Sequence, residues 1–172
     1  MTKPDPIDAL GAAYETMYER VEEGLKHAKE KTGPVLKALI HEAREKAVEL
    51  DELTEEDAEK LARWLMRDLN DAIHHMAEKG SELKEWLGFE AKLVERSLVY
   101  KLLEAADKTT AKLLRMKEEI DTETAYHTGE ITGPGKLICD ECGEELHFHR
   151  AGKIPPCPKC HSTRFHREGF SV

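Results

Sequence analysis

Cys139-Asp140-Glu141-Cys142 and Cys157-Pro158-Lys159-Cys160 form two C-x-x-C pairs separated by 14 residues, and they contain all four cysteines of the chain. Each pair turns tightly enough for both thiolates to reach one ion, and the gap has room for a short hairpin. The spacing therefore predicts one tetrahedral four-cysteine metal site. Thiolates bind zinc and iron alike, but the short gap and small aromatic content of the hairpin favour zinc over a rubredoxin-like iron centre. Four thiolates also close the coordination sphere and leave no position for an activated water. Cys139, Cys142, Cys157 and Cys160 are thus the expected ligands of one structural Zn²⁺, and no catalytic residue is expected.

Other chemistries fit these cysteines less well. Disulfide scaffolds are short, secreted and loop-rich, whereas here a long charged helical region precedes the cysteines. Met1-Thr2-Lys3-Pro4-Asp5-Pro6 is not followed by the apolar stretch of a secretory leader. A thioredoxin-like motif would place one C-x-x-C in a βαβ unit, and no such unit is readable.

A helical body ahead of a four-cysteine module is also the layout of rubrerythrin-like iron redox proteins, which need paired Glu-x-x-His motifs on bundle helices. The body's histidines are His27, His41, His74 and His75, with Gly24, Ala38, Asp71 and Ala72 three residues before them. Asp71-x-x-His74 alone approaches the pattern, and a pair is required. Asp68 and His75 lie seven residues apart near the apolar stripe of their helix; they read more simply as flank positions reaching solvent than as a buried polar pair. No Gly-rich phosphate loop or nucleophile elbow is present.

The elements that must carry the site are mostly helical. Hydrophobic residues make up 40% and charged residues 35% of the 172 positions, a mixture suited to amphipathic helices. A first helix is expected from Pro6 with Asp5 as cap; Ile7, Leu10, Tyr14, Met17, Val21 and Ala28 form a coiled-coil-like stripe, with Gly24 where another apolar residue would fit. Tyr14 and Met17 read as core residues. Thr32-Gly33-Pro34 ends this helix and lets the next begin. The second carries Leu36, Leu39, Ile40, Ala43, Ala47 and Leu50 inward. Its outer face, with His41, Glu42, Arg44, Glu45 and Lys46, reads as solvated surface.

Thr54-x-x-Asp57 resembles a capping box opening a third helix, whose buried face is Leu61, Trp64, Leu65, Leu69, Ala72, Ile73 and Met76, with Gly80 as its stop. A fourth helix, capped by Ser81, should run to about Ile120, with bends near Gly88 and residues 107–110. The fold class is mainly α: an antiparallel helical bundle or coiled-coil hairpin over 1–124, then a small ribbon of short β-strands over 125–172 that includes its lead-in linker. That linker runs from Thr128-Gly129 to Gly133-Pro134-Gly135. Leu146 and Phe148 alternate with His147 and His149 as in a half-buried strand, and Thr163 to Phe170 should supply another, with Phe165 and Phe170 beneath the metal. So few apolar side chains in about 45 residues cannot make a self-sufficient core, and structural zinc contributes about 10–16 kcal/mol in small modules. The helices, with their own caps and stripes, should not depend on the ribbon. Gly129, Gly133 and Gly135 should limit transmission between the parts, Tyr126 and His127 being the residues able to pack across.

The net charge is −9. From Ala125 onward six Lys/Arg balance six Asp/Glu, so the excess falls wholly on the helical body, which phosphate backbones should repel. No uncharged apolar run reaches membrane-spanning length.

Arg67-Asp68-Leu69, Asp107-Lys108-Thr109 and above all Tyr126-His127-Thr128-Gly129-Glu130, followed by Leu137-Ile138-Cys139, resemble the bacterial YbeL-like zinc-ribbon family. The resemblance covers most of the chain and is weakest in the first helix. It implies a cytoplasmic bacterial protein with a helical N-terminal part and a C-terminal ribbon, and it brings no catalytic residues.

The expected function is non-enzymatic: a protein-interaction, assembly or regulatory module whose zinc is structural, with a protein partner and with helices available for self-association. The rival is nucleic-acid binding by a ribbon face of His147, His149, Arg150, Lys153, Arg164, His166 and Arg167 interleaved with Phe148 and Phe165. Glu141, Glu144 and Glu145 oppose it, and four thiolates around Zn²⁺ add a further −2.

Overall fold

The structure, a computed structural model, describes residues 6–29, 33–79 and 125–167. These residues form three helices followed by a small antiparallel strand region. The fourth helix expected over residues 81–120 and the C-terminal Phe170 lie outside them.

Helix α1 spans Pro6–His27, and the fixed φ of proline suits its first position. Tyr14, Met17, Tyr18, Val21 and Leu25 are buried along one face. Gly24 does not stand in for a missing apolar side chain. A Cβ there would lie 2.4 Å from Leu39 Cδ2, so the glycine is what lets Leu39 of the next helix come close. The helix ends at His27, short of the Thr32-Gly33-Pro34 signal, and that glycine opens α2 (Gly33–Glu49). Helix α2 buries Leu36, Ile40, Ala43 and Ala47.

The end of α2 is a Schellman turn. Glu52 N–H donates to the Ala47 carbonyl at 3.0 Å and Asp51 N–H to Val48 at 3.1 Å, while Asp51 takes the left-handed conformation, φ 55°. Leu50, expected in the buried stripe, is instead 50% exposed because the chain turns away there. Helix α3 (Glu55–Lys79) starts as its sequence signal requires: the Asp57 N–H donates to Thr54 Oγ1 at 3.2 Å. Leu61, Leu65 and Leu69 are fully buried on its inner face, and Trp64 packs at its edge.

Helix α1 packs on α2, α2 on α3 and α1 on α3. Their shared core also contains Ile131 and Ala151 from the C-terminal part, so packing crosses the boundary drawn at residues 124/125.

Strands β1 (Tyr126–His127), β6 (Arg164–His166), β3 (Gly135–Cys139) and β4 (Glu145–Phe148) lie side by side, in that order, in one antiparallel sheet. Strands β2 (Ile131–Thr132) and β5 (Gly152–Lys153) form a separate pair that sits against α1 and α3. A second core of Tyr126, Leu137, Cys139, Ile154, Cys157 and Phe165 underlies the larger sheet. The stretch expected as a linker is not one: Ile131, Thr132, Gly133, Pro134 and Gly135 are all buried. Its breaker residues shape β2 and the turn into β3 rather than a solvated tether. Among the described residues no helix is long and apolar enough to cross a membrane.

Candidate metal centre

Both C-x-x-C segments fold into the same knuckle. In the first, Gly143 N–H donates to the Cys139 carbonyl at 3.0 Å and Cys139 N–H to the Glu144 carbonyl at 2.8 Å. In the second, His161 N–H donates to Cys157 at 2.9 Å and Cys157 N–H to Ser162 at 2.9 Å. The residue after each second cysteine carries the positive φ that closes the turn, 75° at Gly143 and 63° at His161. Glycine accepts this conformation without a Cβ clash; histidine accepts it at some cost.

The turns bring the four sulfurs within 4.8 Å of one another. Cys139 and Cys160 sulfurs lie 3.5 Å apart, and Cys142 and Cys157 sulfurs 3.6 Å apart. A zinc–sulfur bond of about 2.3 Å gives tetrahedral edges of about 3.8 Å, so the cluster has the dimensions of one Zn(Cys)₄ site. Its electrostatics point the same way. Burial raises the Cys139 thiol, but the backbone N–H groups of Cys142 and Glu141, together with hydrogen bonds from the Cys160 and Cys142 thiols, bring it down to about 6. The Ser162 N–H lowers the Cys160 thiol, yet the three neighbouring sulfurs push it up to about 12. Four sulfurs so close cannot all ionise without a cation among them, and a divalent ion supplies that charge.

The knuckles are braced from outside. Asp140 accepts from His166 Nδ1 at 2.5 Å and pairs with Arg164 Nε at 3.2 Å, which ties the first knuckle to β6. Cys139, Cys142 and Cys157 are covered or half-covered, and Cys160 is the exposed ligand. The described residues hold no other cluster of three or more His, Cys, Asp or Glu groups with metal-ligand geometry.

The residues expected on a basic, aromatic face are divided by the fold. His147, His149, Arg150, Lys153 and Arg164 are exposed. Phe165 is fully buried beside the ligands and Arg167 is 2% exposed, deep against Tyr126. The expectation failed at these two positions because alternation along β6 turns one side inward, and Arg167 finds acidic and aromatic company there.

That company was missed by the sequence reading. Asp68 is not a flank residue reaching solvent: it is 2% exposed. Its Oδ2 accepts from the Tyr14 hydroxyl at 2.5 Å, Gly133 N–H at 2.8 Å and the Thr132 hydroxyl at 3.3 Å. Arg67 Nε donates to its Oδ1 at 3.3 Å. Arg67 also reaches Glu130 Oε2 at 3.1 Å and the Ile131 carbonyl at 3.2 Å, and its guanidinium lies 3.9 Å from the centre of the Tyr126 ring. Asp71, the acidic half of the Asp-x-x-His approach to an iron motif, is engaged by the Tyr126 hydroxyl. Arg67, Asp68, Tyr126 and Glu130, distant in sequence, thus meet at one buried junction between α3 and the strands.

A family model described as a zinc-ribbon containing domain matches residues 23–169. The proteins named "Uncharacterized protein YbeL" of Escherichia coli K12, O6:H1 and O157:H7 are each 28% identical over 133 residues, which cover 77% of this chain and 82% of theirs. No solved structure matches the chain.

Proposed function

The chain belongs to the zinc-ribbon containing domain family, and from that premise we propose that it is a non-enzymatic cytoplasmic module presenting a helix-and-ribbon surface to a protein partner. Cys139, Cys142, Cys157 and Cys160 hold its one structural zinc, and the helices form an antiparallel bundle. The carrying observation is the closed set of four sulfurs within 4.8 Å, which leaves a bound ion no vacant position for substrate. Burial of Ile131 of β2 and of Ala151, just ahead of β5, in the helical core supports a single composite surface over two tethered ones.

Nucleic-acid binding is the reading this proposal has to beat. Withdrawal of Arg167 and Phe165 from the surface removes a cation and a stacking ring from the required face, and the −9 charge opposes phosphate. Fluorescence anisotropy with duplex DNA and single-stranded RNA should show no binding at physiological salt. Tagged protein should retain its partner after nuclease treatment. Tight binding that weakens steeply with salt, and is lost when Arg150, Lys153 and Arg164 become alanine, would replace this reading with the nucleic-acid one.

A further inference from the structure

Arg167 stands one residue beyond β6 and reaches two hydroxyls. Its Nε donates to the Tyr126 hydroxyl at 3.0 Å and its Nη2 to Thr132 Oγ1 at 2.9 Å. Each hydroxyl passes the polarity on to α3. Tyr126 donates to Asp71, and Thr132 donates to Asp68 at 3.3 Å. Asp68 and Asp71 are three residues apart, hence on one face of the helix. One guanidinium at the end of a ribbon strand therefore sits over two buried carboxylates of a body helix, with a hydroxyl relay to each.

The same strand leads back to the metal. Phe165 lies opposite Cys139 on one side and opposite Tyr126 on the other. It belongs to a six-residue core of which two members, Cys139 and Cys157, are ligands. Asp140, inside the first knuckle, holds His166 and Arg164 of this strand. Three consecutive residues of β6 thus touch the knuckle or its core, and the next residue is Arg167.

We propose that zinc occupancy is transmitted to the helices through β6, with Arg167 and Tyr126 carrying the state of the metal to Asp68 and Asp71 of α3. The inference rests on the zinc reading above. With zinc bound, the knuckles fix β3 against β6 and so fix Arg167. Without it, so small a core cannot hold the register of β6. Arg167 and Tyr126 then leave Asp68 and Asp71 with Arg67 as the nearby guanidinium. Buried carboxylates without their cation and donors are strongly disfavoured, so the α3 segment around residues 67–71 must open toward water. By linkage, disturbing the junction must in turn weaken zinc binding. The glycines expected to insulate the two parts do not do so: Gly133 N–H is itself bound by Asp68.

The experiment uses the full chain with metal content measured in parallel. Hydrogen exchange is followed in peptides covering residues 61–71, zinc-loaded and after strong chelation. Chelation should speed exchange there by at least about tenfold, and added zinc should reverse it. Tyr126→Phe keeps the ring beneath Arg67 but lacks the hydroxyl. It should still bind one zinc, with the zinc-dependent change reduced severalfold and the zinc affinity lowered. Should that variant not fold, Thr132→Val tests the other relay. Arg20→Gln, which breaks the exposed pair with Glu52, should leave the zinc-dependent change intact. Exchange that is indifferent to chelation in protein proven to carry one zinc overturns the coupling and spares the zinc reading. A chain that binds no zinc overturns both. Equal losses in Tyr126→Phe and Arg20→Gln would reduce the effect to general stability and overturn the route.

Discussion

The Tyr14 hydroxyl of α1 donates to Asp68 Oδ2 of α3 at 2.5 Å, with both side chains buried. Burial first, and then the Asp68 charge, push the tyrosine well above its ordinary pKa, so it remains a donor. Two strand-side donors, Gly133 N–H and the Thr132 hydroxyl, converge on the same oxygen. Asp68 is therefore where α1, α3 and the strands are joined by polar contacts as well as by packing. Asp68→Asn would place an amide among donors and leave Arg67 buried beside a neutral group. Chemical denaturation should show a loss of about 3–5 kcal/mol, the usual cost of breaking a buried ionic contact from one side. A change within about 0.5 kcal/mol, ordinary for a surface site, would contradict this role.

Asp71 gives the junction a pH dependence of known sign. Burial raises its carboxyl from 3.8 to about 6, against the opposing pull of the Tyr126 hydrogen bond and the Arg167 charge. A raised native pKa means that the folded chain holds a proton which the unfolded chain has released. Its contribution is complete below about pH 4 and disappears as pH rises through about 6. Comparison of wild type with Asp71→Asn, each zinc-saturated, isolates the effect from ligand protonation. The stability of wild type relative to the variant should fall by roughly 3 kcal/mol across that window and be flat above it. A flat difference throughout would show that Asp71 titrates as an exposed acid.

The two knuckles share their hydrogen bonds but not the residue at the tight position, and this sets a contrast. Nothing lies within 4 Å of a Cβ built on Gly143, so Gly143→Val is penalised by its φ of 75° alone. Zinc affinity in a competition assay should fall by about tenfold, matching a backbone cost of about 1–3 kcal/mol. His161→Gly relieves the same conformation and should bind zinc at least as well. Elemental analysis of both variants and of wild type should give about one zinc per chain, as a closed four-thiolate site requires. Iron with thiolate-to-metal absorption in the native protein would overturn the assignment.

What could be read from sequence was what depends on local spacing. The cysteine pairs announce one ion because two thiolates three residues apart must share it. Thr54, Leu61, Leu65 and Leu69 announce α3 because caps and stripes repeat within a single helix. Arg67, Asp68 and Asp71 gave no such signal, since charged residues beside an apolar stripe ordinarily face water. Their partners, Tyr14, Tyr126, Thr132 and Arg167, arrive from α1, β1, β2 and the residue just beyond β6. The resemblance touched Arg67-Asp68-Leu69 and Tyr126-His127-Thr128-Gly129-Glu130 as separate motifs. That the two motifs meet is a fact of tertiary structure. The glycine- and proline-rich stretch 129–135 misled for a related reason: breaker residues indicate turns but do not reveal whether the turns are solvated or buried.

Docking of the strands on α1 leads to the last prediction. A Cβ on Gly11 would lie 3.0 Å from the Ala151 carbonyl oxygen, and Glu15 Oε1 accepts the Ala151 N–H at 3.2 Å. The backbone of α1 and the backbone just ahead of β5 thus approach at Gly11 with no space for a side chain. Backbone cannot rotate away as a side-chain tip can, and the hydrogen bond to Glu15 holds Ala151 in place. Gly11→Val should therefore destabilise the fold by about 1–3 kcal/mol despite the better helix propensity of valine. Gly24→Ala is the control. Its new Cβ would meet only the end of the Leu39 side chain, which can change rotamer, and alanine in a helix gains up to about 1 kcal/mol over glycine. Thermal unfolding should show Gly24→Ala near or above wild type and Gly11→Val clearly below it. If Gly11→Val were as stable as wild type, α1 could not be packed on the backbone at residue 151, and the composite helix-and-ribbon surface would have to be given up.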